Sequence, residues 1–289
     1  MPKQDVFKMN QSGYTIFRLP ALIYHQGTFL AFCEGRYGTA DSSVADMVLR
    51  RGTLKGSKVT WGQIQVVASE KEKNIRLHNH VPLIDHQKNV ILLLYKSADR
   101  SLFLIKSTDI GQTWSKPVDI ADQIFKKAPN DVKSFSPGPG HGVQLKSGRL
   151  VIQGCTNVKN DSGGRACHAT VIVSDDHGTT WQMGGYVPTA TSKGVDVQTN
   201  ETAVAALSNG LVYLNSRTLG YDQPRGQSFS QDGGETFGPP QLVSNLIEPK
   251  NLRGAPAGCE GAVLGFQAPE KSLEPWRRCF PIQPIDIYA

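Results

Sequence analysis

The side chains here that could do chemistry are carboxyls, guanidiniums and imidazoles, and their spacing excludes several reaction classes. His78-x-His80 with His86 has the residue type of a metal site, but no matching acidic or thiolate set lies nearby, so no metal is expected. Gly138-Pro-Gly-His-Gly142 is glycine-rich without the G-x-x-x-x-G-K-[ST] spacing that cradles phosphate. There is no G-x-S-x-G elbow for a serine nucleophile. Cys33, Cys155, Cys167, Cys259 and Cys279 are odd in number, widely spaced and without a C-x-x-C pair, which reads as buried free thiols in a reducing compartment. What remains are carboxyls and guanidiniums, and with 25 Asp plus Glu in the chain their spacing alone singles none of them out. A carboxyl of raised pKa delivers a proton, and a guanidinium fork grips a carboxylate through two parallel charge-assisted bonds. Taken singly, each of these residues reads as an ordinary surface charge.

Short extended elements must position them. A 39% hydrophobic and 19% charged composition excludes a disordered chain, and 289 residues bury a large core. Helical periodicity is hard to find. Runs such as Ala21–Tyr24, Phe29–Phe32, Met47–Leu49, Gln63–Ala68, Val90–Tyr95, Leu102–Lys106, Leu150–Gln153, Ala169–Val173 and Leu211–Asn215 are bounded by turn residues and predict an all-β protein. The 29 Gly and 17 Pro supply the turns.

An internal repeat decides the architecture. Ser107-Thr-Asp-Ile-Gly-Gln-Thr-Trp114, Ser174-Asp-Asp-His-Gly-Thr-Thr-Trp181 and Ser230-Gln-Asp-Gly-Gly-Glu-Thr-Phe237 share the pattern S-x-D-x-G-x-T-[WF]. Ser and Asp side chains cap turn amides, Gly takes a positive φ, Thr begins the outgoing strand, and the aromatic ring packs beneath. A turn that recurs in every copy is scaffold rather than a single active site. The copies start 67 and 56 residues apart. Repeats of this kind point to the four-stranded blades of a β-propeller. At about 61 residues per blade the chain supplies about 4.7 blades.

These repeats resemble the Asp-boxes of the sialidases, six-bladed glycoside hydrolases that remove terminal sialic acid. Tyr14-Thr-Ile-Phe17-Arg18-Leu-Pro20-Ala-Leu is similar to the family's Y/F-R-I-P motif, and Phe29-Leu-Ala-Phe32-Cys-Glu34-Gly-Arg36 to its LLAFAExR strand. Asp41, Val48-Leu-Arg50-Arg51-Gly52 and Phe135-Ser-Pro-Gly138-Pro-Gly140-His-Gly142 follow in order, a set most like the animal members. The resemblance implies an exo-α-sialidase acting with retention. It assigns Asp41 as acid/base and Glu201 as the carboxylate that activates a tyrosine nucleophile. Arg18 and Arg217 would hold the substrate carboxylate, Arg36 would lie near the acid, and Asn79 would contact the sugar. Sialylated glycolipids and glycoproteins, gangliosides among them, are the implied partners, with no cofactor. An inactive propeller that binds sialosides or proteins is the alternative.

The match runs from about Tyr14 to about Phe266 in one domain spanning 1–289, and residues 267–289 depart from the pattern. The family's third arginine and its tyrosine lie beyond the matched region. Arg277, Arg278 and Tyr288 lack the flanking context, so a C-terminally truncated propeller is expected. The strand Val151-Ile-Gln-Gly-Cys-Thr-Asn157 lacks the tyrosine of some animal members, which bears on the aglycone. The net charge of +6 is scattered, with no basic run longer than two, so nucleic acid is not an expected partner. No secretory h-region is visible, and no apolar run approaches the ~20 residues of a membrane span. A cytoplasmic protein is expected, with peripheral membrane or lysosomal placement and oligomeric state left open.

Overall fold

A computed structural model describes residues 4–56, 58–97, 101–126, 128, 132, 134–159, 164–190, 194, 196–219, 224–248, 259, 261–265 and 279–282. Arg277, Arg278 and Tyr288, with most of the divergent stretch 267–289, lie outside the described residues. The chain divides into two compact units, Met1–Ala121 with Pro139–His141, and Asp122–Gly138 with Gly142–Ala289.

The first unit holds two antiparallel four-stranded meanders. One runs β1 (Ile16–His25), β2 (Thr28–Arg36), β3 (Ala45–Lys55) and β4 (Lys58–Ala68). The other runs β5 (Leu77–Asp85), β6 (Val90–Ser97), β7 (Ser101–Ser107) and β8 (Val118–Asp119). Their facing side chains make one core: Leu30, Phe32, Met47 and Leu49 from the first sheet, Leu77, Ile91, Leu93 and Ile105 from the second. Strand β2 is buried along most of its length, which its near-continuous apolar run demands. The outer strand β4 is partly exposed throughout, as a half-wet edge should be.

The second unit opens with a helical turn, α1 (Ala121–Lys126), one residue of which belongs to the first unit. Its first sheet orders β10 (Val143–Gln144), β11 (Leu150–Lys159), β12 (Arg165–Ser174) and β13 (Gln182–Tyr186), with β9 (Ser136–Pro137) also paired to β11. A second meander follows: β14 (Thr199–Ala206), β15 (Val212–Thr218), β16 (Pro224–Ser230) and β17 (Gln241–Ile247). The hairpin β18 (Ala262–Gly265) and β19 (Cys279–Ile282) completes the described strands. Val151, Ala169, Val171, Val173, Val204, Val212 and Leu214 fill the core between the two meanders. All nine runs read as strands from the sequence fall in strands, apart from the first residue of one, Leu211. Among the described residues no helix is long and apolar enough to cross a membrane.

The three Asp-box turns are superimposable in their hydrogen bonding. Ser107 Oγ donates to Asp109 Oδ1 at 2.8 Å and accepts from Gly111 N at 2.8 Å. Asp109 then accepts from Thr113 N at 2.9 Å and Thr113 Oγ1 at 2.6 Å. Ser174, Asp176, Gly178 and Thr180 repeat this set at 2.9, 2.9, 2.8 and 2.7 Å. Ser230, Asp232, Gly234 and Thr236 repeat it again at 2.7, 2.8, 2.9 and 2.5 Å. The glycine is required twice over at Gly111, where φ is 76° and a Cβ would meet Leu30 at 2.7 Å. One expectation is corrected. The threonine does not begin the outgoing strand, because its amide and hydroxyl are both committed to the aspartate. Pairing resumes only at Val118, Gln182 and Gln241.

The serine is buried in each box, as is the glycine whose amide it accepts, so its loss leaves that buried Gly amide without its acceptor. Ser174→Ala is expected to lower unfolding free energy by about 1–3 kcal/mol in urea titrations. An unchanged midpoint would show that water replaces the hydroxyl without cost.

Candidate functional site

The side chains singled out in the sequence sit where strands lose register. In β1, Arg18 pairs with Glu34 and Ala21 with Phe32, so Leu19 and Pro20 together oppose Cys33. In β5, His78 pairs with Lys96 and Val81 with Leu94, so Asn79 and His80 oppose Tyr95. In β14, Thr199 pairs with Thr218 and Thr202 with Ser216, so Asn200 and Glu201 oppose Arg217. Each is a two-against-one bulge on the first strand of its meander, and bulges re-aim side chains. Leu19 and Asn79 take positive φ of 53° there. The sheet that begins with β9 and β10 has no such bulge. Its first strand is broken by Gly138–Gly142 instead, with Gly138 N donating to Gln153 O at 2.8 Å.

In the first unit the site is organised around Glu34, which is fully buried. Glu34 Oε2 accepts from Arg36 Nε at 2.9 Å, Arg36 Nη2 at 2.7 Å and Arg76 Nη2 at 3.3 Å. Its other oxygen accepts from the backbone N of Asn79 at 2.9 Å, fixing the β5 bulge. Arg36 is itself 1% exposed and donates from Nη1 to Asp41 Oδ1 at 2.7 Å, while the Asp41 side chain is 80% exposed. Arg18 faces Glu34 in register, is exposed, and has no hydrogen-bond or ion-pair partner among the described residues. Three guanidiniums therefore meet two carboxylates, a net positive cluster with one unengaged fork. The structure thus brings together Arg18, Arg36, Asp41 and Asn79. It adds Glu34 and Arg76, to which sequence reasoning gave no role. Glu34 was within reach, because two residues along a strand share a face and it precedes Arg36 by two. Arg76 carried no signal.

The positive cluster acts directly on Asp41. A proton donor asks for a raised carboxyl pKa, yet Asp41 is held below the usual carboxylate range by the hydrogen bond from Arg36. Partial burial opposes this, and the charges of Arg36, Arg76 and Arg18 add to it. The site as it stands holds Asp41 ionised. His78 is pushed down mainly by burial, and fully buried His80 is pushed down to about 4 by the same cause, against the pull of Glu34.

In the second unit Arg217 Nη1 donates to Glu201 Oε2 at 3.2 Å, with the two side chains 20% and 26% exposed. Asn200, beside Glu201 in the bulge, accepts from Cys155 Sγ at 3.2 Å. The Cys167 thiol is held below its usual range, chiefly by a hydrogen bond with Cys155, with burial opposing and the charge of Arg217 assisting. Arg225 is fully engaged: it bonds Asn215, Cys259 O at 2.9 Å and the buried Glu248 at 3.1 Å. Burial pushes Glu248 upward. Arg217 is thus the partly exposed guanidinium of this sheet and Arg225 the structural one.

The BNR repeat-like domain family matches residues 27–267. Sialidase-4 of Mus musculus is 34% identical, the match covering 95% of this chain and 59% of that protein. Sialidase-2 of Cricetulus griseus is 32% identical over 95% of this chain and 74% of its own length. The chain therefore spans under two thirds of the first of these relatives. The solved structure of the Hadza microbial sialidase Hz136 aligns with a TM-score of 0.70 at 21% identity, covering 87% of this chain and 50% of that one. That likeness shows the fold, an all-β propeller of the sialidase type.

Two consequences concern stability. Glu34→Gln leaves Arg36 buried beside a neutral amide and is expected to cost roughly 3–5 kcal/mol in urea unfolding. A loss under ~1 kcal/mol would mean that Asp41 alone suffices for Arg36. For His80 the folded pKa of about 4 lies below the ordinary 6.5, so the unfolded chain binds the extra proton. Stability is then complete above pH 6.5 and falls as pH drops from 6.5 towards 4. The loss is on the order of 3 kcal/mol by pH 4, and His80→Asn should flatten that slope.

Proposed function

The chain belongs to the animal-type sialidase family, and from that premise we propose that it is a glycoside hydrolase releasing terminal sialic acid from glycolipids or glycoproteins with retention. The observation that carries this reading is the Glu34-centred cluster, in which a buried carboxylate neutralises Arg36 and Arg76 and leaves the Arg18 fork unengaged near Asp41. A carboxylate on the reacting carbon of the sugar is the ligand such a fork accepts best. Arg217 is the second arginine of the reading, and Asn79 contacts the sugar from its bulge.

Asp41 is the acid/base. Its ionised resting state is compatible with that role, because bound substrate changes the balance. A substrate carboxylate on Arg18 screens one of the positive charges that depress Asp41, and a sugar ring covering an 80% exposed side chain removes water from it. Both effects raise a carboxyl pKa. Glu201 is the base that activates a tyrosine, since a phenol near its ordinary pKa of about 10 is a weak nucleophile alone. Among the described residues Cys33, Cys155, Cys167 and Cys259 form no disulfide, which supports a cytoplasmic setting.

A second reading, sialoside binding without turnover, is favoured by one observation: the hydrogen bond from Arg36 holds Asp41 below the usual carboxylate range, as an anion rather than a proton donor. A fluorogenic aryl sialoside separates the two. The purified chain is expected to release the fluorophore, and Asp41→Ala to slow natural sialoside hydrolysis by ~10² or more. A silent chain that still binds sialic acid by ligand-observed NMR selects the second reading.

A further inference from the structure

Asp41 is tethered directly by one bond, to Arg36, and is otherwise exposed, so its position depends on the loop that carries it. That loop joins β2 to β3 as residues 37–44. Across its mouth Asp46, 2% exposed and paired in register with Gly35, accepts from two phenols through a single oxygen. Tyr37 Oη donates to Asp46 Oδ2 at 2.7 Å, and Tyr14 Oη donates to the same atom at 2.8 Å. Tyr37 is the first residue after β2 and Asp46 the second of β3, so the Tyr37 bond ties the two stems together.

The backbone reinforces this knot. Tyr37 N donates to Val44 O at 3.0 Å, and Ser43 N to Ala40 O at 3.0 Å. Tyr37 O accepts from Thr15 Oγ1 at 3.0 Å, and Thr15 N donates to Arg36 O at 2.8 Å. Tyr14 reaches Asp46 by lying on Gly35, where a Cβ would stand 2.9 Å from its ring. Lys71 Nζ sits 4.0 Å from the centre of the Tyr37 ring and pins its outer face. Burial and the Asp46 carboxylate push both phenols up, so each stays a donor throughout the neutral range.

We propose that Tyr37, acting through Asp46, is a positioning residue that holds loop 37–44 closed and thereby sets Asp41 against Arg36 for proton delivery. The proposal deepens the acid/base role of Asp41 and rests on it. Removing the Tyr37 hydroxyl lengthens the effective loop and spreads Asp41 over more positions, while the arginines stay where Glu34 holds them. The defect should therefore follow the need for a proton rather than the binding of the sugar.

The test is Tyr37→Phe, which keeps the ring and its Lys71 contact, with Tyr14→Phe as a second variant on the same carboxylate. Each is assayed on an alkyl sialoside, whose leaving oxygen must be protonated, and on an aryl sialoside, whose phenolate leaves more readily. The expected result is a fall in kcat of about tenfold on the alkyl substrate, a smaller fall on the aryl one, and KM within about twofold. Equal losses on both substrates, a change in KM alone, or no change overturns the proposal. Amide exchange by mass spectrometry is read in parallel, and residues 38–43 should exchange faster in Tyr37→Phe. If the unmodified chain turns over neither substrate, the hydrolase reading fails by itself. Exchange then decides the clamp: faster exchange of the loop supports it and unchanged exchange overturns it.

Discussion

A carboxylate buried out of reach of water is tolerable only if its charge is met, and Glu34 is met on every side. Two guanidiniums and a backbone amide converge on it from β2, from the approach to β5, and from the β5 bulge. Taking such a charge into the interior is expensive, and removing one partner is worse than never having the pair. The arrangement therefore locks itself. Arg36 is fixed because Glu34 needs it, Asn79 is fixed because Glu34 holds its amide, and Asp41 finds a stationary donor waiting. Rigidity at this place comes from pairing the buried charge of Glu34.

The two kinds of aspartate in this protein make the contrast plain. The Asp-box aspartates are spent: hydrogen bonds from their own turns outweigh the desolvation at Asp232 and pull it down to about 2. Asp109, held first of all by the Thr113 hydroxyl, reaches the same value. Both oxygens of each carboxylate are committed to the turn that carries it. Asp41 has one strong bond and open water around it. Its carboxyl responds to whatever arrives, which is the property a proton-transferring group needs and a scaffold group must lack.

Much of this was legible in advance, and the limits have physical causes. Short apolar runs between turn residues located strands because burial and alternation act locally. The box pattern was legible because its hydrogen bonds close within eight residues. Strand β5 is harder to read, because Pro82 lies inside it; the sheet tolerates Pro82, opposite Leu93, because β5 is the end strand of its sheet. The bulges left no trace, because Leu19 and Asn79 take a left-handed conformation without glycine to announce it. Arg76 and the Tyr14–Asp46–Tyr37 knot were invisible for another reason. They join residues that are distant in the chain or unremarkable in type, and only the folded register brings them together.

The recurring extra residue on the first strand of three meanders has a consequence for how this scaffold tolerates change in length. Side chains on either side of each bulge follow opposite parity, so one half of the strand is phased to its neighbour by the insertion alone. Excising a single position from Leu19–Pro20, Asn79–His80 or Asn200–Glu201 would restore simple alternation and rotate the rest of that strand inside out. Swapping one side chain for another there is a local event. Shortening the chain by one at the same spot is a global one, and the fold is far more exposed to a three-base deletion than to a missense change.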